Sequence, residues 1–268
     1  MLKKFSQFIT EQAHVQTLSD DQKEFLKEFT KGKWSINPQT GLVDIQGSFD
    51  FADYEFDDLQ GIEFGMVSKD FFCMSSSLKS LKGGPRFVGR NFDCSSNELE
   101  SLEGAPEHVG KEFDCSYNDL ISLEGGPKRV GSFYKCMKSG LESLKGAPEE
   151  VPGEFDCSDN SLTLLDGAPR RIGKNFICSY NEIMILKGGP EFVGGKYDCS
   201  NNKLFILDGL PENLNTRSLI ADGNIIDEVA LKGSLKLSKL YLRELREALE
   251  YKLVIPGLHL VDLEWIDV

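Results

Sequence analysis

Pro85-Arg86-Phe87-Val88-Gly89-Arg90-Asn91-Phe92-Asp93-Cys94-Ser95-Ser96-Asn97-Glu98-Leu99-Glu100-Ser101-Leu102-Glu103-Gly104 is one turn of a pattern that returns every twenty-one residues. Its Cys94 belongs to the series Cys73, Cys94, Cys115, Cys136, Cys157, Cys178 and Cys199, the whole cysteine complement of the chain. Two residues before each cysteine stands an aromatic: Phe71, Phe92, Phe113, Tyr134, Phe155, Phe176 and Tyr197. Five residues after come Leu78, Leu99, Leu120, Leu141, Leu162, Ile183 and Leu204, and eight after come Leu81, Leu102, Leu123, Leu144, Leu165, Leu186 and Leu207. A fixed period in this range is the mark of stacked units, each of which buries its apolar side only against its neighbours.

A spacing of two between aromatic and cysteine puts both on one face of an extended strand, with the residue between them on the other. The apolar stretch then ends at Gly83, Gly104, Gly125, Gly146, Gly167, Gly188 and Gly209, followed two residues on by Pro85, Pro106, Pro127, Pro148, Pro169, Pro190 and Pro211. Glycine supplies turn conformations, and proline disfavours helix in the residue before it. The expected fold is therefore a repeat solenoid, with parallel strands on the concave side and extended or turn-like chain on the convex side.

The segment Phe92-x-Cys94-x-x-Asn97-x-Leu99 resembles the core of leucine-rich repeats. An inward amide at Asn97, Asn118, Asn160, Asn181 and Asn202 can serve backbone groups left unpaired where the chain leaves the strand, and in that family such residues form a ladder. The fuller wording, Phe-Asp-Cys-Ser-x-Asn-x-Leu-x-Ser-Leu-x-Gly-Ala-Pro, resembles repeat proteins of unassigned function from large contractile-tailed bacteriophages, over roughly residues 32 to 229. That resemblance implies the architecture and carries no activity.

The array extends past the cysteines. Phe49, Phe51, Phe56, Leu59 and Gly61 fit one coil earlier, and Leu219, Ala221, Asn224, Ile226 and Val229 one coil later, which gives nine coils over 49–229. Residues 32–48, with a turn at Pro38 and Gly41, read as a capping hairpin. Residues 1–31 read as a helical segment, and 230–268 as a cap whose helix covers Ser238 to Leu253 and ends before Pro256-Gly257.

No apolar run approaches eighteen residues, and the start lacks a secretory pattern, so a cytoplasmic location is expected. One thiol per coil, without paired Cys-x-x-Cys spacing, argues against disulfides and zinc and for small buried hydrophobes. The formal net charge of -13 argues against nucleic acid as a partner. The basic cluster Lys232, Lys236, Lys239, Arg243 and Arg246 reads as the solvated side of the capping helix. His14, His108 and His259 show no metal-like spacing, and neither a phosphate loop nor a nucleophile elbow is present. A non-catalytic protein without cofactor or metal is expected.

Function is then expected on the strand face that points away from the core. The column before each cysteine holds Asp93, Asp114, Asp156 and Asp198, either solvated or kept as an acidic stripe for a basic protein. The coil around Cys136 departs from the rest: Phe133, Lys135 and Met137 take the outward positions, Lys138 follows, and Ser139 replaces asparagine. Tyr117, Ile177 and Tyr180 lie nearby. Together these residues are expected to anchor a protein contact, with a host protein bound or inhibited in the host cytoplasm. The alternative is a virion role. Met1 to Glu11 resembles capsid-targeting propeptides of large phages, and that resemblance implies cleavage after Glu11.

Overall fold

A computed structural model describes residues 15–211, 213–214 and 218–224. With elements numbered along the chain, helix α1 (Asp20–Phe29) leads into β1 (Thr30–Ile36) and β2 (Val43–Asp50). The last residues of β2 form the first rung of a parallel ladder. It continues through β4 (Phe71–Phe72), β6 (Phe92–Asp93), β8 (Phe113–Asp114), β10 (Tyr134–Lys135), β12 (Phe155–Asp156), β14 (Phe176–Ile177), β16 (Tyr197–Asp198) and β17 (Leu219–Ile220). The molecule is thus a parallel β-solenoid, and its nine rungs are joined by eight complete turns.

Each of the seven rungs between the first and the last turns its aromatic and its cysteine into the core. Phe71, Phe92 and Phe113 stack on one another with ring centroids 5.3 and 5.6 Å apart and planes within 12° of parallel, a spacing set by the distance between neighbouring strands. All seven cysteines are fully buried free thiols. Cys73, Cys94, Cys115, Cys136, Cys157 and Cys199 each donate from Sγ to the carbonyl of the outward residue one rung on, as from Cys136 to Asp156 O at 3.3 Å. Burial pushes every one of these thiols up from its ordinary value. They act as packing groups and are poor nucleophiles.

The asparagine ladder forms. Asn160 donates from Nδ2 to Cys136 O, Cys157 O and Ser158 O, and its Oδ1 accepts from Ser139 N–H and Leu141 N–H. One amide thereby serves carbonyls and N–H groups of adjacent coils that have no strand partner. At the far corner Gly104 is held at φ +95°, and a Cβ there would lie 2.1 Å from Leu81 O. Only glycine fits that approach.

The side expected to be plain turn and extended chain carries a second ladder of parallel strands. It comprises β3 (Phe64–Val67), β5 (Phe87–Val88), β7 (His108–Val109) and β9 (Arg129–Val130), then separately β11 (Glu150–Val151), β13 (Arg171–Ile172) and β15 (Phe192–Val193). Val67, Val88, Val109, Val130, Val151, Ile172 and Val193 fill its inner face. Two ladder bonds are missing at the split: one from Glu149 N–H to Lys128 O, whose counterparts at Glu107, Lys128, Arg170 and Glu191 are made, and one that a proline removes. Gly89, Gly110, Gly131, Gly173 and Gly194 each donate N–H to the valine or isoleucine one coil back, but the corresponding residue between β9 and β11 is Pro152, which has no N–H. Gly153 N–H still reaches Ser132 O at 3.0 Å, so the coils stay stacked.

The first open edge is covered. Strands β1 and β2 form an antiparallel hairpin from the Thr30–Phe49 pair to the Ile36–Val43 pair, longer than the expected 32–48 because β2 runs on into the first rung. Helix α1 starts at a Ser19 capping box and lays Phe25 and Phe29 against Phe49, Phe51 and Phe56. The last coil keeps Ala221 buried and Asn224 bonded to Cys199 O. Ile226, Val229, the 230–268 cap and residues 1–14, including Glu11, lie outside the described residues. No helix among those described is long and apolar enough to cross a membrane.

Candidate binding surface

The acidic column belongs partly to the fold. Asp93 Oδ1 accepts from both N–H and Oγ of Ser95, Asp156 does the same with Ser158, and Asp198 with Ser200. Asp114 accepts from Ser116 N–H. Each Asp-Cys-Ser triplet therefore ends its strand with an Asx-type turn. These carboxylates are not freely solvated: Asp156 is buried, and the other three are half-buried. Burial raises the Asp93 and Asp156 carboxyls from their ordinary value, and at Asp93 the facing Asp114 adds to the effect.

The coil around Cys136 has a twin. In two of the three coils that lack the aspartate the serine changes too: Phe72 goes with Met74 and Lys135 with Met137, while Ile177 keeps Ser179. The same two coils carry Ser76 and Ser139 at the asparagine position. The Ser139 hydroxyl donates to Cys115 O and Met137 O, as the Ser76 hydroxyl does to Phe51 O and Met74 O. Ser139 is thus a second solution to the same backbone problem. Phe133, Lys135 and Met137 are half-buried, less open than alternation alone implies. The Lys174 ammonium sits 4.9 Å from the Phe133 ring centre, and Lys135 stands between Asp114 and Asp156 with Nζ 4.0 Å from Asp114 Oδ2.

The prominent side chains stand at the corner two residues past each cysteine. Asp53, Ser75, Ser96, Tyr117, Lys138, Asp159, Tyr180 and Asn201 all have φ between 51° and 67°. This left-handed conformation suits Asp and Asn. For a bulky residue it is an outlier costing roughly 1–2 kcal/mol. Tyr117 and Tyr180 hold it with side chains 49% and 58% exposed, so burial does not compensate. The Lys138 ammonium lies 5.5 Å from the Tyr117 ring centre. Tyr117, Phe133, Lys135, Met137 and Lys138 come together on adjacent coils. Tyr180 lies two rungs beyond Lys138, about 10 Å at ordinary strand spacing, and Ile177 lies two rungs beyond Lys135.

Elsewhere, the outer face of the second ladder shows Phe87 and His108 stacked at 5.1 Å and Arg171 over Phe192 at 4.6 Å. The sequence pattern does not reveal this face, because one aliphatic per coil at Val88, Val109 and Val130 carries no alternation that marks a strand. Among the described residues no group of three or more His, Cys, Asp or Glu side chains could hold a metal ion. The chain matches no family model, no curated protein and no solved structure.

Proposed function

We propose that the chain is a non-catalytic protein-binding module whose contact surface is the corner bearing Tyr117, Lys138 and Tyr180, flanked by Phe133, Lys135, Met137 and Ile177. The observation that supports this is the left-handed backbone at two exposed tyrosines. Backbone strain held at a surface, without a packing gain, points to selection for what the side chains touch. Tyrosine is a common anchor of protein contacts, since it offers large rigid area with one polar tip. Asp93, Asp114, Asp156 and Asp198 form the edge of the patch. With their serine bonds made, and burial opposing the charge at Asp93 and Asp156, they contribute orientation toward a basic partner more than affinity.

The partner in this reading is a host protein bound or inhibited during infection. The likeness of the repeat wording to repeat proteins of contractile-tailed phages supplies only the setting for this reading, and the spacing Phe-x-Cys-x-x-Asn-x-Leu supports the architecture alone. Affinity capture from host lysate with the wild-type chain and with a Tyr117→Asn, Tyr180→Asn variant tests the reading. The expected result is one stoichiometric host protein on the wild type and at least a tenfold loss on the variant. Equal capture by both removes the tyrosine corner from the account.

A further inference from the structure

The side of the solenoid between the tyrosine corner and the glycine-proline corner changes character along its length. Six and seven residues after the first four cysteines stand Lys79-Ser80, Glu100-Ser101, Ile121-Ser122 and Glu142-Ser143. Each serine accepts at Oγ from the N–H two residues on, at Lys82, Glu103, Glu124 and Lys145. After the last three cysteines the same positions read Thr163-Leu164, Met184-Ile185 and Phe205-Ile206. The turn serine is gone, and Leu164, Met184 and Phe205 are 44%, 51% and 40% exposed. The change affects two columns at once and persists over three adjacent coils. It leaves an apolar strip spanning about 10 Å along the axis at ordinary strand spacing, bounded on one side by Glu142 and Ser143.

We infer that this strip is covered by the chain's own carboxyl-terminal segment, residues 225–268. The described chain ends at Asn224, one coil beyond Phe205, so residue 225 follows directly on the coil next to the strip. The sequence from 238 to 253 carries Leu242, Leu245 and Leu249 at the three- and four-residue spacings of a helix. A helix is about 10–12 Å across, the width of the strip. The intervening residues 225–237 reach up to roughly 40 Å when extended, enough to lay that stretch on all three coils. A second copy is the poorer occupant, since two chains of formal charge -13 repel one another. This inference is independent of the tyrosine corner.

An engineered thiol pair, Met184→Cys with Leu245→Cys, tests it in the full chain. The native thiols are buried and do not compete. Mild oxidation at low concentration is expected to give a monomer whose peptide map contains a 184–245 link. A linked dimer, meaning that a second copy lies on the strip, overturns the inference, and so do two thiols that stay free. Should the pair disturb folding, hydrogen exchange of residues 238–253 is compared between the wild type and a Met184→Asp, Phe205→Asp variant. At least tenfold faster exchange in the variant is expected, and equal rates overturn the inference.

Discussion

The phenols of Tyr134 and Tyr197 are buried without a hydrogen-bond partner among the described residues, and each Oη-bearing ring tip meets a glycine. A Cβ at Gly126 would sit 3.1 Å from Tyr134 Oη, and one at Gly189 would sit 3.0 Å from Tyr197 Oη. The Gly-Gly-Pro wording at 125–127 and 188–190, in place of Gly-Ala-Pro, makes room for the hydroxyls. Because an unpaired buried hydroxyl costs free energy, Tyr134→Phe is expected to raise unfolding stability by about 1 kcal/mol in urea denaturation. Asp156 supplies a second case. Its folded carboxyl titrates above its unfolded value because burial opposes the charge. The penalty is therefore fully present at neutral pH and fades as pH falls through the folded value toward the unfolded one. Asp156→Asn keeps an acceptor for Ser158. It is expected to shift the denaturation midpoint upward at pH 7 relative to wild type, with the advantage shrinking at pH 4. The inward columns were legible residue by residue, since a period of twenty-one fixes which positions repeat. The left-handed corner was not, because serine, tyrosine, lysine and aspartate share no composition that signals φ.

The elements are short, two residues for most rungs, and none would persist alone. The first ladder was readable from the aromatic-x-cysteine spacing, which is the period-two signature of a strand. The second was hidden because most of its strands show a single buried aliphatic, usually beside glycine, too little for any alternation to register. Its interruption was equally hidden: Pro152 breaks the glycine column only once the bonds from Gly131 to Val109 and from Gly173 to Val151 are known. Pro152→Gly restores a donor facing Val130 O. The added bond, about 1 kcal/mol, is largely offset by the roughly 0.5–1 kcal/mol of conformational freedom that glycine brings to the unfolded chain. Global stability is expected to change little. The new amide at 152 is expected to exchange slowly, at the rate of its counterparts at 131 and 173. Fast exchange there would mean that the missing Glu149 bond, and not the proline alone, keeps the two parts of the ladder apart.

Across the whole molecule, stability is expected to be a sum over coils and their interfaces, since each coil touches only its neighbours. Deleting residues 95–115, one full period, is expected to preserve the fold and to lower the denaturant sensitivity by about one eighth, in proportion to the surface buried. Deleting twenty residues instead puts every later column out of step and is expected to abolish cooperative unfolding. The architecture and its direction could be read from the chain; the side on which binding would fall could not, because exposed tyrosines become informative only when the backbone beneath them is seen to be strained. The central claim is that Tyr117 and Tyr180 are present for contact and not for folding. The direct measurement is the urea midpoint of the Tyr117→Asn, Tyr180→Asn variant, which places at both corners the residue type found at Asn201. Relief of about 1–2 kcal/mol of left-handed strain outweighs the loss of an exposed cation–π contact worth about 0.5–1 kcal/mol. A midpoint equal to or above wild type is expected, and a fall equivalent to 2 kcal/mol or more would mean that the two tyrosines serve folding.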